Sequence, residues 1–119
     1  MIDHIGLRTH QMDRMRAFYA AVLAELGYAL SADYGESIAF GEKMTLWISA
    51  SDAAPSSTHL AFQAPSRDAV ERFHAAALKL GAGDHGAPGL RPHYHEHYYA
   101  AFVIDPDGNN IEAVCHDAC

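Results

Sequence analysis

An internal repeat constrains the fold of this chain more than any other feature. The segment "HIGLRTHQMDRMRAFYAAVL" at residues 4–23 aligns without gaps on "HLAFQAPSRDAVERFHAAAL" at residues 59–78. Six of the twenty positions are identical: His4/His59, Asp13/Asp68, Phe18/Phe73, Ala20/Ala75, Ala21/Ala76 and Leu23/Leu78. A repeat of this length indicates two copies of one supersecondary unit, each of which buries its apolar face against a neighbour.

Each copy begins as a strand and continues as a helix. In "DHIGLRT" and "THLAFQA" apolar side chains alternate with a second set that includes His4 and His59, so the two histidines share the opposite face of their strands. The first helix is predicted from apolar residues at three-and-four spacing: Met15, Phe18, Tyr19, Val22, Leu23 and Leu26. The second is predicted to start at an N-cap, Ser66, and to stop at Gly81, with an apolar face of Val70, Phe73, Ala77 and Leu80.

Three short strands are predicted after each helix. They cover about 28–33, 36–41 and 44–50 in the first copy, and about 82–86, 97–104 and 110–115 in the second, where "DPDG" makes a tight turn before the last strand. The sequence therefore predicts an α+β fold of two tandem βαβββ modules, about 1–52 and about 57–119, within a single domain of 119 residues. The helices would cover one face of each sheet and leave the histidine-bearing face open.

Composition narrows the range of partners. A formal net charge of -7, without a basic stripe, argues against nucleic acid and against an anionic membrane surface. No apolar run approaches the ~20 residues that span a bilayer. Met1 leads directly into a strand pattern, and Cys115 and Cys119 do not make a disulfide framework, so we expect a cytoplasmic protein. A bridge or a metal site within "CHDAC" is the alternative for the two thiols.

The open faces carry a candidate metal site. Pseudo-twofold packing of the modules would bring His4 and His59 together. In the last predicted strand, "NNIEAVC", the apolar set belongs under the helix, which turns Glu112 to the histidine side. Two histidines and one carboxylate are typical of a divalent transition-metal site with open positions. The alternative is that both histidines are pocket residues satisfied by their neighbours.

Three motifs carry a resemblance to a known family: "DHIGL", "HLAF" and "FVIDPDGNNIEAV". Over essentially its whole length the chain resembles the vicinal oxygen chelate superfamily of glyoxalase I, bleomycin-resistance proteins, fosfomycin-resistance thiol transferases and extradiol dioxygenases. The resemblance implies a curved mixed sheet around a pocket, with His4, His59 and Glu112 as ligands of a divalent ion (Fe, Mn, Ni or Zn). It also implies a homodimer, in some members formed by exchange of modules, so that one site uses residues from two chains.

One position departs from the glyoxalase I pattern. The resemblance implies that glyoxalase I-like members carry a second glutamate on the fourth strand of the first module. Aligning "TLWIS" on "NIEAV" places Trp47 at the position that corresponds to Glu112. An indole neither ligates a metal nor accepts a proton, so glyoxalase I activity is not expected. The remaining three-ligand pattern resembles the dioxygenase and fosfomycin-resistance branches.

Further residues are predicted to line the pocket. On the open faces these are Thr45, Trp47, Ser49, Gln63, Tyr98 and Phe102. The stretch "HYHEH" follows a segment rich in glycine and proline and is predicted to begin as a loop. Arg91, His93, Tyr94 and also His95 are expected to form a flap over the pocket mouth and to offer hydrogen bonds to a polar substrate. If the stretch were extended, its three histidines would share one face and could bind zinc, which is the alternative.

Two functions are compatible with these features. One is a metal-dependent enzyme that acts on a small oxygenated or aromatic substrate, with dioxygenase-like or lyase- or transferase-like chemistry. The other is a metal-free ligand-binding protein of the bleomycin-resistance type, whose cation-binding cleft would suit a net charge of -7. No general base is evident from the sequence.

Overall fold

Two modules of the same element order make up the protein. The computed structural model describes residues 1–118. The first module comprises β1 (Ile5–Thr9), α1 (Met12–Ala24), β2 (Leu30–Asp33), β3 (Ser37–Phe40) and β4 (Leu46–Ala50). The second comprises β5 (His59–Gln63), α2 (Arg67–Lys79), β6 (Gly83–Leu90), β7 (Tyr99–Ile104) and β8 (Asn110–Cys115). The predicted α+β fold of two βαβββ modules is thereby confirmed.

Each module forms a four-stranded mixed sheet. The first sheet has the strand order β1-β4-β3-β2 and the second has the order β5-β8-β7-β6, so β1 and β5 are edge strands of separate sheets. β1 runs parallel to β4 and β5 runs parallel to β8, and the registers pair Gly6 with Trp47 and Ala61 with Glu112. Since the repeat superimposes Gly6 on Ala61, Trp47 and Glu112 occupy equivalent positions, as the strand alignment predicted.

The helices bury the apolar face of each sheet. All six residues predicted for the core face of α1 are buried, and the principal contact between the modules is α1 against α2. The Ser66 hydroxyl accepts a hydrogen bond from the backbone N–H of Ala69 at 3.1 Å, which confirms the predicted N-cap. The prediction that Leu80 belongs to the core face of α2 is wrong: it is 48% exposed because α2 ends at Lys79 and Gly81 turns the chain with φ 86°.

A buried hydrogen-bond cluster ties the "DPDG" turn of the second module to α1. We call it the Asp105 cluster. The Tyr19 hydroxyl donates to Asp105 Oδ2 at 2.5 Å, and the same oxygen accepts from the side-chain amide of Asn109 at 2.8 Å. The other oxygen, Oδ1, accepts from the backbone N–H groups of Asp107 and Asn109. Gln11 adds a hydrogen bond to the Pro106 carbonyl at 2.9 Å.

Several strand boundaries shift by one or two residues from the predicted ones, and the end of β6 shifts by four. β6 extends to Leu90, beyond the predicted end at 86, because pairing with β7 resumes after register shifts on either side of Gly86. β7 begins at Tyr99 and not at 97. Neither helix of the described chain is long and apolar enough to cross a membrane. Cys115 is a buried free thiol, whereas the alternative of a bridge or metal site in "CHDAC" also involves Cys119, which lies outside the described residues.

Candidate metal centre

Glu112 is a buried carboxylate on the open face of the second sheet. Its neighbours Ile111 and Ala113 point into the core beneath α2, so the alternation of β8 turns Glu112 to the other side. Its side chain is only 3% exposed, and a carboxylate withdrawn from water is costly unless it is partnered. His59 and Tyr98 are the partners: His59 Nε2 lies 3.1 Å from Oε1, and the Tyr98 hydroxyl donates to Oε2.

The orientation of His59 is fixed by the backbone of the adjacent strand. Its Nδ1 lies 2.9 Å from the Asn110 carbonyl oxygen. A carbonyl can only accept, so Nδ1 carries a hydrogen and donates it, which directs Nε2 towards Glu112. A hydrogen bond of this kind from one ring nitrogen is the usual way in which a protein orients a histidine whose other nitrogen binds a metal.

The two facing atoms fit a divalent ion. An unprotonated imidazole nitrogen and a carboxylate oxygen repel each other, so a proton or a cation is needed between them. Their separation of 3.1 Å suits a hydrogen bond from a protonated Nε2, and it is also close to the roughly 3 Å expected between adjacent ligand atoms that each lie about 2.1 Å from one ion. His59 is 49% exposed, which leaves room on the solvent side of the pair for further ligands.

His4 lies apart from this pair in a single chain. It directly precedes β1 of the first sheet, its Nδ1 is 2.6 Å from Asp3 Oδ1, and its side chain is 60% exposed. Within residues 1–118 no group of three or more histidine, cysteine, aspartate or glutamate side chains is arranged to hold a metal ion. One chain therefore brings together two of the three predicted ligands, His59 and Glu112.

Tyr98 covers Glu112, a contact that the sequence did not reveal. It lies just before β7, and its ring is in edge-to-face contact with Tyr94, His95 and His116. Burial, and then the hydrogen bond to Glu112, raise the pKa of Tyr98 well above its usual range. The hydroxyl is thus a proton donor at neutral pH, and it occupies one carboxylate oxygen while the other faces His59.

The flap, residues 91–98, is a compact loop, as predicted for its start. It is closed by hydrogen bonds from the Arg91 N–H to the Tyr98 carbonyl at 2.7 Å and from the Tyr94 N–H to the Arg91 carbonyl at 2.9 Å. His95 Nε2 lies 2.6 Å from His116 Nδ1, whereas His93 packs on Tyr94 with ring centroids 4.3 Å apart. The histidines of "HYHEH" therefore point to different partners.

Arg91 and Phe102 stand beside the His59–Glu112 pair. The Arg91 guanidinium lies over the Phe102 ring, 5.4 Å from its centroid. The Phe102 ring in turn stacks against His59 with a centroid separation of 6.2 Å, and Phe102 pairs with Glu112 across the β7–β8 ladder. The open face of the second sheet thus combines a carboxylate, an imidazole, a guanidinium and a phenyl ring.

The remaining predicted pocket residues lie in two other places. Trp47 and Ser49 are half-buried on the open face of the first sheet, where Trp47 stacks on Tyr34 with centroids 6.4 Å apart and Ser49 Oγ lies 2.9 Å from Ser37 Oγ. Thr45 and Gln63 line a cleft of about 360 Å³ between the modules, together with Leu23, Tyr28, Phe40, Gly41, Glu42, Lys43, Leu46, Ala61 and Phe62.

Comparisons with known proteins place this geometry in context. The model of the Glyoxalase/Bleomycin resistance protein/Dioxygenase superfamily matches residues 1–113. A glyoxalase/bleomycin resistance protein from Albidiferax ferrireducens T118 superimposes with a TM-score of 0.82 at 26% identity, over 95% of this chain and 96% of that one. None of the curated proteins matches the sequence significantly.

Two further solved structures share the fold at lower identity. A glyoxalase/bleomycin resistance protein/dioxygenase family enzyme from Burkholderia phytofirmans PsJN has a TM-score of 0.74 at 20% identity, over 98% of both chains. A lactoylglutathione lyase from Agrobacterium tumefaciens has a TM-score of 0.69 at 20% identity, over 97% of this chain and 92% of that one.

Proposed function

The chain belongs to the Glyoxalase/Bleomycin resistance protein/Dioxygenase superfamily, and from this premise we propose that it is a metal-dependent enzyme acting on a small molecule with two adjacent oxygens. The observation that carries the proposal is the buried Glu112 carboxylate with His59 Nε2 aimed at it from 3.1 Å. A bound divalent ion would polarise the oxygens of the substrate as a Lewis acid.

The residues of the pair have distinct tasks in this proposal. Glu112 supplies the single anionic ligand through Oε1, and Tyr98 holds Oε2 so that the carboxylate cannot rotate. His59 supplies Nε2, which its hydrogen bond to Asn110 keeps in place. His4 is the third ligand of an Fe, Mn, Ni or Zn ion, and this ligand set leaves positions open for two substrate oxygens.

The kind of reaction follows from the position equivalent to Glu112. Trp47 occupies it, and an indole cannot exchange a proton with substrate. The resemblance to glyoxalase I implies a reaction in which two glutamates shuttle a proton, and position 47 does not supply the second one. This favours dioxygenase-like or lyase- or transferase-like chemistry over glyoxalase I activity. The lactoylglutathione lyase among the structural neighbours, at 20% identity, supports the fold only.

A second copy of the chain would complete the ligand set. In one chain the main contact between modules is between the helices, and the sheets keep β1 and β5 as separate edges. Edge strands present unpaired backbone groups that another chain can cover. We therefore propose a homodimer with exchanged modules, in which His4 of one chain reaches His59 and Glu112 of the other.

Metal content is the first test. Untagged protein, offered iron, manganese, nickel or zinc and then desalted, is measured by elemental mass spectrometry. We expect about one ion per chain in the wild type, its loss in His59→Ala and Glu112→Ala, and its retention in His85→Ala, which removes an exposed histidine of β6. A wild-type protein that takes up none of the four metals refutes the enzyme proposal and favours a metal-free ligand-binding protein.

The exchange of modules has its own test. His4→Ala and His59→Ala chains are unfolded, mixed, refolded and assayed for bound metal. In an exchanged heterodimer one site contains both substitutions and the other contains none, so each heterodimer regains one metal site. Since random reassembly makes about half of the dimers heterodimers, the mixture should regain about half an ion per dimer relative to either variant alone. If modules pair within a chain, every site keeps one substitution and mixing restores nothing.

A further inference from the structure

Arg91 carries a positive charge on the open face of the second sheet without an acidic partner. Among residues 1–118 no carboxylate oxygen lies within 4.0 Å of its guanidinium, although acidic residues outnumber lysine and arginine 15 to 8. Arg16 and Arg72 on the helices are each paired with carboxylates, whereas Arg8, Arg14 and Arg67 also lack a carboxylate within 4.0 Å among the described residues. Arg91 differs from these three because it lies against Phe102, beside the His59–Glu112 pair. A half-buried guanidinium that lacks a counter-ion beside a candidate catalytic site has capacity to bind an anion.

The guanidinium is held in place by β6. Its Nη1 donates to the Gly89 carbonyl at 2.7 Å and its Nη2 donates to the Ala87 carbonyl at 2.9 Å. These neutral acceptors orient the group and leave its net charge intact. The space is made by glycines: a Cβ on Gly89 would lie 3.2 Å from Nη1, and one on Gly86 would lie 3.2 Å from Nη2 and 2.9 Å from Phe102 Cδ1.

Phe102 sets the distance between this charge and the metal-binding pair. Arg91 Cζ lies 5.4 Å from the centroid of the Phe102 ring, and the centroid of the His59 ring lies 6.2 Å from it. A small molecule could therefore rest against the phenyl ring, with one end at the His59–Glu112 pair and the other at the guanidinium. Aromatic and other flat ligands gain additional contact with such a ring.

We propose that Arg91 recognises an anionic group, such as a carboxylate, on a substrate whose chelating oxygens bind at the His59–Glu112 pair about one ring away. The inference rests on the function proposed above and specifies its substrate class. It also separates this chain from a cleft for cationic ligands, since a cation would be repelled by Arg91.

Two probes that differ by one carboxylate test the proposal. Catechol and 3,4-dihydroxybenzoate carry the same adjacent oxygens, and only the second has an anionic group across the ring. Their affinities for the zinc-loaded protein are measured by calorimetry without oxygen. We expect the wild type to bind 3,4-dihydroxybenzoate at least about tenfold more tightly than catechol, since charge-assisted hydrogen bonds are the strong ones.

Variants of Arg91 and of nearby residues test whether Arg91 causes the difference in affinity between the two probes. Arg91→Gln should reduce the preference below about threefold while the affinity for catechol is unchanged. Gly89→Ala keeps the charge and displaces the guanidinium, and it should reduce the preference partly. Lys79→Gln, a matched loss of positive charge on the exposed end of α2, should leave the preference intact. Circular dichroism confirms that each variant is folded.

The outcomes distinguish the two proposals. Equal affinity of the wild type for both probes, or a preference that survives in Arg91→Gln, overturns the role of Arg91 and leaves the metal site standing. Binding of both probes that is unaffected by chelation of zinc overturns the metal-dependent function, and Arg91 is then judged from 3,4-dihydroxybenzoate alone. If neither probe binds, both proposals fail.

Discussion

Replacement of Tyr19 by phenylalanine tests how strongly the Asp105 cluster stabilises the protein. Tyr19 is fully buried and its hydroxyl donates to Asp105 Oδ2 at 2.5 Å. The substitution removes this one donor and leaves the aromatic packing unchanged. Asp105 keeps its other three donors, from Asn109 and from the backbone N–H groups of Asp107 and Asn109, so the buried carboxylate is weakened but not stranded.

The size of the expected loss of stability in Tyr19→Phe follows from the charge and burial of the acceptor, Asp105. A hydrogen bond to a charged group contributes about 1.5–3 kcal/mol to the free energy of unfolding. With an unfolding entropy of about 2.1 cal/mol/K per residue for the chain, this corresponds to a fall in Tm of roughly 6–12 °C. Tyr28→Phe is the matched control, because that hydroxyl donates at 2.8 Å to the neutral carbonyl of Gln63 in an exposed position. It should cost at most about 1 kcal/mol.

The assay is thermal and urea unfolding of the wild type and both variants, at neutral and at alkaline pH. Burial first, and then the nearby Asp105 carboxylate, raise the pKa of Tyr19 far above its usual range. The pKa of Tyr19 is higher in the folded state than in the unfolded state. The stabilisation by the Tyr19 hydroxyl is therefore complete below pH 10 and is lost as the pH rises above it. The difference between wild type and Tyr19→Phe should therefore narrow above pH 10. If Tyr19→Phe lowers the free energy of unfolding no more than Tyr28→Phe does, this account of the cluster is refuted.

Three further substitutions give expected outcomes of other kinds. Ser66→Ala removes the N-cap of α2 and should lower the free energy of unfolding by about 0.5–2 kcal/mol in urea titrations, whereas Ser66→Asp should not. The hydrogen bond from His74 lowers the pKa of Asp84, so Asp84 stabilises the fold above about pH 4 and this contribution is lost on acidification; in Asp84→Asn that part of the acid dependence of Tm should disappear. In a Cys119→Ser variant the one remaining thiol is Cys115, which is 1% exposed, so it should react with a thiol reagent only after the protein unfolds. Rapid reaction of the folded variant at neutral pH would contradict this prediction.

The fold could be predicted from the sequence because its determinants are local and occur twice. The helix faces are set by three-and-four spacing and the N-cap by Ser66, and the repeat made each module evidence for the other. Strand boundaries were predicted wrongly where they depend on pairing with a strand that is distant in sequence. β6 continues through Pro88 because β7 supplies a partner on the other side of its bulges, and nothing in "GDHGAPGL" reports that partner.

The site was predictable to a smaller extent. The alternation of β8 was sufficient to place Glu112 on the same face as His59. The contacts of the flap could not be predicted, because they join residues that are distant in sequence. The Tyr98 hydroxyl hydrogen-bonds to Glu112, and the His95 ring contacts His116. The orientation of Arg91 depends on carbonyls and glycines of β6 that have no signature of their own.

In the proposed site, electric charge connects the proposed metal ligands with the proposed substrate class. The two modules offer equivalent positions for a carboxylate, and the chain uses only one of them, since Trp47 occupies the position that corresponds to Glu112. A divalent ion held by two carboxylates would be neutral overall, whereas one held by Glu112 and neutral histidines keeps a net positive charge. Arg91 adds a second uncompensated cation close by. If the proposed metal and Arg91 sites both exist, we expect them to favour a substrate with negative charge at both ends, such as an ionised vicinal diol with a distant carboxylate. The presence of tryptophan rather than a second carboxylate at position 47 would then contribute to this specificity.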